Sequence, residues 1–140
     1  MIKIIILYID TYLRVRFLLK YGLIIIDLFT GVADLMKAGA PSTYVKKGDV
    51  VERIDYSSLP VGILTDVKLV HKELHLADSD WVLMVSDGAV AVGDRWIMEI
   101  MKHWKGGSAQ EMAQVIVAEA KNNRNNGYDD DITAIAMNIM

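Results

Sequence analysis

The sequence predicts an α+β fold in which antiparallel strands come first and two helices and a closing strand follow. Three observations carry this prediction. Short β-branched and aromatic runs joined by turns fill the chain from Leu23 to Ser86, helical spacing replaces them after Gly93, and the last residues, DITAIAMNI, return to a strand pattern. We expect strands from about residue 23 to 86, helices near 94–104 and 109–123, and a closing strand at 132–139.

Turn chemistry between the apolar runs justifies the separate strands. Thr30-Gly31 divides LIIIDLF from VADLMKA, Gly39–Ser42 forms a second turn, and Lys47-Gly48-Asp49 reverses TYVKKGDVVERI into a hairpin. After the loop SSLPVGIL, the run VKLVHKELHL alternates, and WVLMVS reads as a fully buried strand. Because strands joined by short turns pair antiparallel, we expect an antiparallel sheet.

Two amphipathic segments predict the helices. The first places apolar side chains on one face: Trp96, Ile100, Met101 and Trp104. The second begins at Ser108, which has the capping-box spacing to Glu111. It ends in KNNRNNG, where asparagine and glycine favour termination of a helix. Its apolar stripe consists of Ala109, Met112, Ala113, Ile116, Val117 and Ala120.

The composition excludes several classes of function. A chain of 140 residues forms one domain, and its net charge of −3 gives no basic surface for nucleic acid. The absence of cysteine excludes a disulfide framework, a thiolate zinc site and a cysteine nucleophile. It is also consistent with a reducing compartment, and we expect a cytoplasmic domain.

The apolar segment at the N-terminus, MIKIIILYIDTYLRVRFLLKYGLIII, does not read as a membrane span. Asp10, Arg14, Arg16 and Lys20 interrupt it, so no apolar stretch approaches the roughly 20 residues that a spanning helix needs. No small-residue cleavage site follows the first run, which argues against a signal peptide. We expect a buried strand or helix instead.

The run HKELH, from His71 to His75, differs from the zinc-protease motif HExxH. That motif requires glutamate directly after the first histidine and both histidines on one helical face. Here the glutamate is Glu73 and the segment alternates like a strand. A polar strand face is therefore the better interpretation.

Acidic residues lie next to two of the apolar strands. Ser86-Asp87-Gly88 follows WVLMV, and Asp129, Asp130 and Asp131 precede the last strand. Solvated turns would account for both, whereas a divalent cation would explain why three carboxylates gather beside a buried strand. We expect parallel neighbours, or a bend across the sheet edge, to bring Asp87 and Asp130 together and antiparallel neighbours to separate them. The spacing leaves both arrangements open.

The motifs MVSDGAV and DDDITAIAM resemble the C-terminal half of type 2C metal-dependent serine/threonine phosphatases. Within that family the motifs resemble the bacterial branch that includes stage II sporulation protein E. The upstream run IDLFTGVADLMKAGAPSTYVKKGDVVERIDYSSLPVGIL is similar to that branch as well, so the resemblance covers roughly residues 24–140. Four short motifs in family order are more specific than any one of them alone.

This resemblance implies a fold, a reaction and a site. The fold is an antiparallel β-sandwich flanked by helices. The metal ligands of the family fall on Asp87 and Asp130, Asp131 and Thr133 complete the second motif, and Asp129 is an additional neighbour. Mn²⁺ or Mg²⁺ would activate water for attack on a phosphate monoester without a protein nucleophile. The substrate implied is a phosphorylated protein, a regulator of the anti-anti-sigma type in sporulation.

The N-terminus departs from the family pattern. The family carries a further glycine-rich Asp-Gly metal motif upstream, and residues 1–21 do not match it. We therefore expect an unmatched apolar segment at 1–21 and, at 22–140, the C-terminal part of a phosphatase-like domain that is incomplete. Two alternatives stay open. One is a non-catalytic remnant that acts as a binding or regulatory module, and the other is a regulatory domain attached to a membrane through an N-terminal region.

Overall fold

The structure is a computed structural model that describes residues 3–12, 18–55, 70–124 and 130–140. The chain divides into two compact units, the first formed by residues 1–40 with 56–77 and the second by residues 41–55 with 78–140. Within the described residues the elements are, in chain order, β1 Lys3–Tyr12, β2 Leu18–Asp27, β3 Val32–Ala38, β4 Thr43–Lys47, β5 Val50–Ile54, β6 Val70–His75, β7 Trp81–Val85, a 3-10 turn Asp87–Ala89, α1 Arg95–His103, α2 Ala109–Asn122 and β8 Ala134–Asn138.

The first unit contains one antiparallel sheet in the order β1-β2-β3-β6. Its buried side chains alternate along the strands, as expected for a half-buried sheet, and include Ile24, Ile26, Ala33 and Leu35. The predicted turn between β2 and β3 is present. There the Asp27 carboxylate accepts the backbone N–H groups of Phe29 and Thr30 at 2.9 and 3.2 Å.

The N-terminal segment forms strands. β1 pairs with β2 along its whole length, from Lys3 opposite Asp27 to Tyr12 opposite Leu18. The boundary that we placed between residues 21 and 22 therefore falls within β2. No helix in the described part of the chain is long and apolar enough to cross a membrane.

The histidine-containing run lies on β6, as the alternation predicted. His71, Glu73 and His75 are exposed, whereas Leu74 between them is buried. The helical face that an HExxH zinc site requires is therefore not formed by these residues. The predicted loop SSLPVGIL, with its Leu-Pro-x-Gly-Ile segment, lies outside the described residues.

The second unit contains the other antiparallel sheet, in the order β5-β4-β7-β8, and both helices. Gly48-Asp49 joins β4 to β5, and Gly48 adopts the positive φ of 56° that this two-residue reversal requires. Side chains from one face of the sheet and from α1 and α2 form a common core that comprises Tyr44, Trp81, Leu83, Val85, Ala89, Ile97, Met101, Met112, Ile116 and Ala120.

Both helices begin and end close to the predicted residues. The Ser108 side chain accepts the N–H of Glu111, and the Glu111 carboxylate accepts the N–H of Ser108, which completes the predicted capping box. Three members of the predicted stripe, Met112, Ile116 and Ala120, are fully or almost fully buried. The predicted α+β class, with two antiparallel sheets and two helices, is confirmed.

Candidate functional site

Asp87 follows β7 directly, at the point where the sheet ends. Ser86 is still extended, and Asp87–Ala89 then forms a 3-10 turn. In this turn the N–H of Ala89 donates to the Ser86 carbonyl at 3.0 Å, and the N–H of Val90 donates to the Asp87 carbonyl at 3.1 Å. The turn leaves Asp87 half-buried, whereas Ser86 and Gly88 on either side of it are buried.

Ser86 joins this turn to the acidic segment before β8. Its N–H donates to the Thr133 carbonyl at 3.0 Å, and its hydroxyl donates to the Asp131 carbonyl at 3.0 Å. The same hydroxyl accepts the N–H of Thr133 at 2.8 Å. We call these three hydrogen bonds the Ser86 bridge. They fix the two motifs against each other through backbone groups rather than through the acidic side chains.

Gly88 brings the two segments into direct contact. A Cβ atom at this position would lie 2.2 Å from the Asp131 carbonyl oxygen and 3.1 Å from the Asp130 carbonyl oxygen. No side chain fits at the first distance, so the close approach requires glycine. The aspartate-glycine order after β7 therefore has a packing reason that is independent of any ligand.

The expectation about strand direction was wrong. β7 and β8 are antiparallel neighbours, with Val85 opposite Ala134, and yet Asp87 and Asp130 lie at the same end of the sheet. Antiparallel pairing places the end of one strand beside the beginning of its neighbour. A residue after β7 and a residue before β8 therefore meet, and no bend in the sheet is needed.

The acidic side chains of the second motif differ in their surroundings. Asp130 is half-buried, and its Oδ1 accepts the N–H of Asp131 at 2.9 Å. Asp131 and Thr133 are exposed, and both contact Ser86 through their backbones. Asp129 lies outside the described residues. Carboxylate oxygens are the donors that Mg²⁺ and Mn²⁺ prefer, so Asp87 and Asp130 are of the right chemical type for such an ion.

The described residues supply only part of a coordination shell. No group of three or more histidine, aspartate or glutamate side chains among them is placed to hold a metal ion. Asp27, an acidic residue at the end of β2, uses its carboxylate to close the β2–β3 turn. The metal-binding roles of Asp87 and Asp130 stay predictions.

Comparison with known proteins identifies the family. The family model described as stage II sporulation protein E matches residues 13–140. The chain belongs to this family. It is 32% identical over 123 residues to stage II sporulation protein E of Bacillus subtilis, and this match covers 82% of the chain but 15% of the relative.

Solved structures support membership of the stage II sporulation protein E family. The chain is similar to the PP2C phosphatase domain, with a fragment of the regulatory domain, of the Bacillus subtilis protein, with a TM-score of 0.75 and 28% identity. That match covers 86% of this chain and 38% of the other. A structure of the same phosphatase domain presoaked with Mn gives a TM-score of 0.70 at 28% identity, and the chain covers 56% of it.

The predicted resemblance to a type 2C phosphatase domain is therefore confirmed. The two acidic motifs of this chain were recognised from the sequence, but the sequence indicated no role for Ser86. The signal available for Ser86 was a hydroxyl residue at the end of a strand whose other residues are all apolar. Its partners are 45 and 47 residues away, and neither spacing nor periodicity indicates which backbone groups it meets.

The Ser86 bridge predicts the cost of losing the hydroxyl. In Ser86→Ala the N–H of Thr133 and the carbonyl of Asp131 both lose a partner in a partly buried position, so we expect the free energy of unfolding to fall by about 2 kcal/mol. Urea denaturation followed by circular dichroism measures this change at constant m value.

Thr133→Ala is the matched control for this variant. The Thr133 side chain is exposed and its contact with Ser86 is made by backbone atoms, so the expected change is within about 0.5 kcal/mol. Equal losses in the two variants would show that the Ser86 hydroxyl does not join the motifs in solution.

Proposed function

We propose that this chain forms the C-terminal part of a Mn²⁺- or Mg²⁺-dependent serine/threonine phosphatase domain in which Asp87 and Asp130 are metal ligands. The observation that supports it best is the Ser86 bridge. In a member of a phosphatase family, three hydrogen bonds and the Gly88 contact bring the two motif aspartates to one end of the β7–β8 pair.

In this proposal each residue of the site has a distinct role. Asp87 and Asp130 provide oxygen ligands, and Gly88 allows the two segments to approach. The Ser86 hydroxyl both donates and accepts a hydrogen bond to the backbone, so its role is to position the turn rather than to attack a substrate. When bound, a pair of Mn²⁺ or Mg²⁺ ions supplies activation of water for attack on a phosphate monoester.

For the substrate we propose a phosphorylated protein, a regulator of the anti-anti-sigma type. The support is family membership in stage II sporulation protein E over residues 13–140. The chain spans only 15% of the Bacillus subtilis relative, so a substrate shared with that relative is part of the proposal.

A binding or regulatory module without turnover is the second candidate. The small number of carboxylates favours it, because no group of three or more potential metal ligands is assembled within the described residues. The two candidates share the fold and differ in whether Asp87 and Asp130 serve catalysis. Metal binding and hydrolysis therefore need separate measurements.

Metal binding is tested by calorimetric titration of the chain with Mn²⁺. We expect weak binding, because affinity follows the number of charged ligands and the rigidity of the site, and two carboxylates make an open site. Asp130→Asn should weaken this binding by about tenfold or more. Asp49→Asn is the matched control because Asp49 is an exposed carboxylate in the β4–β5 turn, and its titration should equal that of the unmodified chain. Indistinguishable titrations for Asp130→Asn would remove Asp130 from the site.

Hydrolysis is tested with a small aryl phosphate. We expect the 140-residue chain alone to bind Mn²⁺ without turnover, because its described ligands do not fix a second ion. We expect Mn²⁺-dependent hydrolysis from a chimera in which this chain replaces the matching part of the Bacillus subtilis phosphatase domain, and its loss in Asp87→Asn and Asp130→Asn. A folded but inactive chimera would favour the binding module. Robust hydrolysis by the chain alone would contradict the expectation of an incomplete site.

A further inference from the structure

Asp94 occupies the N-cap position of α1 but does not cap it. Aspartate is favoured at this position because its side chain can accept a free N–H of the first helical turn. The Asp94 side chain makes no such hydrogen bond. Its Oδ2 instead accepts the Tyr44 hydroxyl at 2.7 Å, and its Oδ1 accepts Arg53 Nη1 at 3.0 Å. We call these three residues the Asp94 cluster.

The Asp94 cluster connects the sheet to the start of α1. Tyr44 on β4 lies directly opposite Arg53 on β5 in the antiparallel register. Tyr44 is fully buried and the Asp94 side chain is only 18% exposed, so the hydrogen bond between them is largely shielded from water. Burial, and then the hydrogen bond to Asp94, raises the pKa of Tyr44, which keeps the hydroxyl protonated and able to donate. Arg53 also contacts Asp55, an exposed carboxylate.

Short-range backbone hydrogen bonds lie on both sides of Asp94, and the peptide bond between Gly93 and Asp94 joins them. Ile97 donates to the Asp94 carbonyl and Gly93 donates to the Val90 carbonyl, each at 3.0 Å. Val90 in turn donates to the Asp87 carbonyl at 3.1 Å. Each bond spans three residues, so the start of α1 and the turn that carries Asp87 are joined by a short hydrogen-bonded segment. The Ser86 bridge holds this segment at one end, and the Asp94 cluster holds it at the other.

We propose that Tyr44 and Arg53 are positioning residues for Asp87 and that they act through Asp94. This inference rests on the proposed function only where it concerns the bound metal. The inference that the Asp94 cluster keeps the Asp87 turn ordered rests only on the hydrogen bonds of this cluster and of the segment between Asp94 and Asp87. A purely structural anchor would stabilise α1 without any selective effect on the Asp87 turn.

Amide hydrogen exchange without metal separates positioning from anchoring. In Tyr44→Phe the aromatic ring that packs in the core is retained, and the hydroxyl is lost together with its hydrogen bond to Asp94. We expect exchange of the Ala89 and Val90 amides to accelerate by about tenfold, measured by NMR on the full chain. Lys46→Met is the matched control because Lys46, also on β4, donates to the Lys102 carbonyl near the other end of α1 at 3.2 Å. It should leave the Ala89 and Val90 amides at the rate of the unmodified chain.

A Mn²⁺ titration of the same variants gives the second readout. We expect Tyr44→Phe to weaken Mn²⁺ binding several-fold and Lys46→Met to leave it unchanged. Equal acceleration of the Ala89 and Val90 amides in both variants, or none in Tyr44→Phe, would overturn the positioning role. An unmodified chain that binds no Mn²⁺ would contradict the proposed function, and the exchange rates would then still decide whether the Asp94 cluster orders the turn.

Discussion

The antiparallel pairing of β7 with β8 is the constraint on which the candidate site depends. It places the end of β7 beside the beginning of β8, so that Ser86 meets the backbone of Asp131 and Thr133. Gly88 then removes the side chain that would otherwise stand 2.2 Å from the Asp131 carbonyl oxygen. The positions of Asp87 and Asp130 follow from these backbone contacts, none of which involves an acidic side chain.

The helices extend this constraint into the core of the second unit. Val85 at the end of β7 and Ala89 within the Asp87 turn are buried in the same cluster as Ile97 of α1 and Met112 of α2. Packing against the helices therefore fixes the side of the turn that faces the core. The Ser86 bridge and the Asp94 cluster hold the two ends of the segment that contains the turn. A carboxylate on such a segment has little freedom to rearrange, which is the condition that a metal site imposes on its ligands.

The sequence predicted the features whose causes are local. The Ser108–Glu111 spacing located the start of α2, and Lys47-Gly48-Asp49 located the β4–β5 reversal, because capping and turn chemistry act over three or four residues. The two acidic motifs were found by resemblance. Features that depend on distant partners were not found. Tyr44 reaches Asp94 across 50 residues, and the long pairing of β1 with β2 has no turn signature in the sequence. The error about strand direction was geometric, since antiparallel order was predicted correctly and its consequence for the strand ends was not.

Paramagnetic broadening of backbone amide signals by Mn²⁺ tests the central claim most directly. The claim is that the Ser86 bridge assembles one cation site from the Asp-Gly step and the Asp-Asp-x-Thr motif. Added at a small fraction of the protein concentration, Mn²⁺ should broaden the amides of Gly88 and Asp131 first and together. It should leave sharp the amides around Asp49 and Asp78, which are exposed carboxylates elsewhere in the second unit. Broadening centred on those exposed carboxylates, or spread evenly over the acidic surface, would contradict the account.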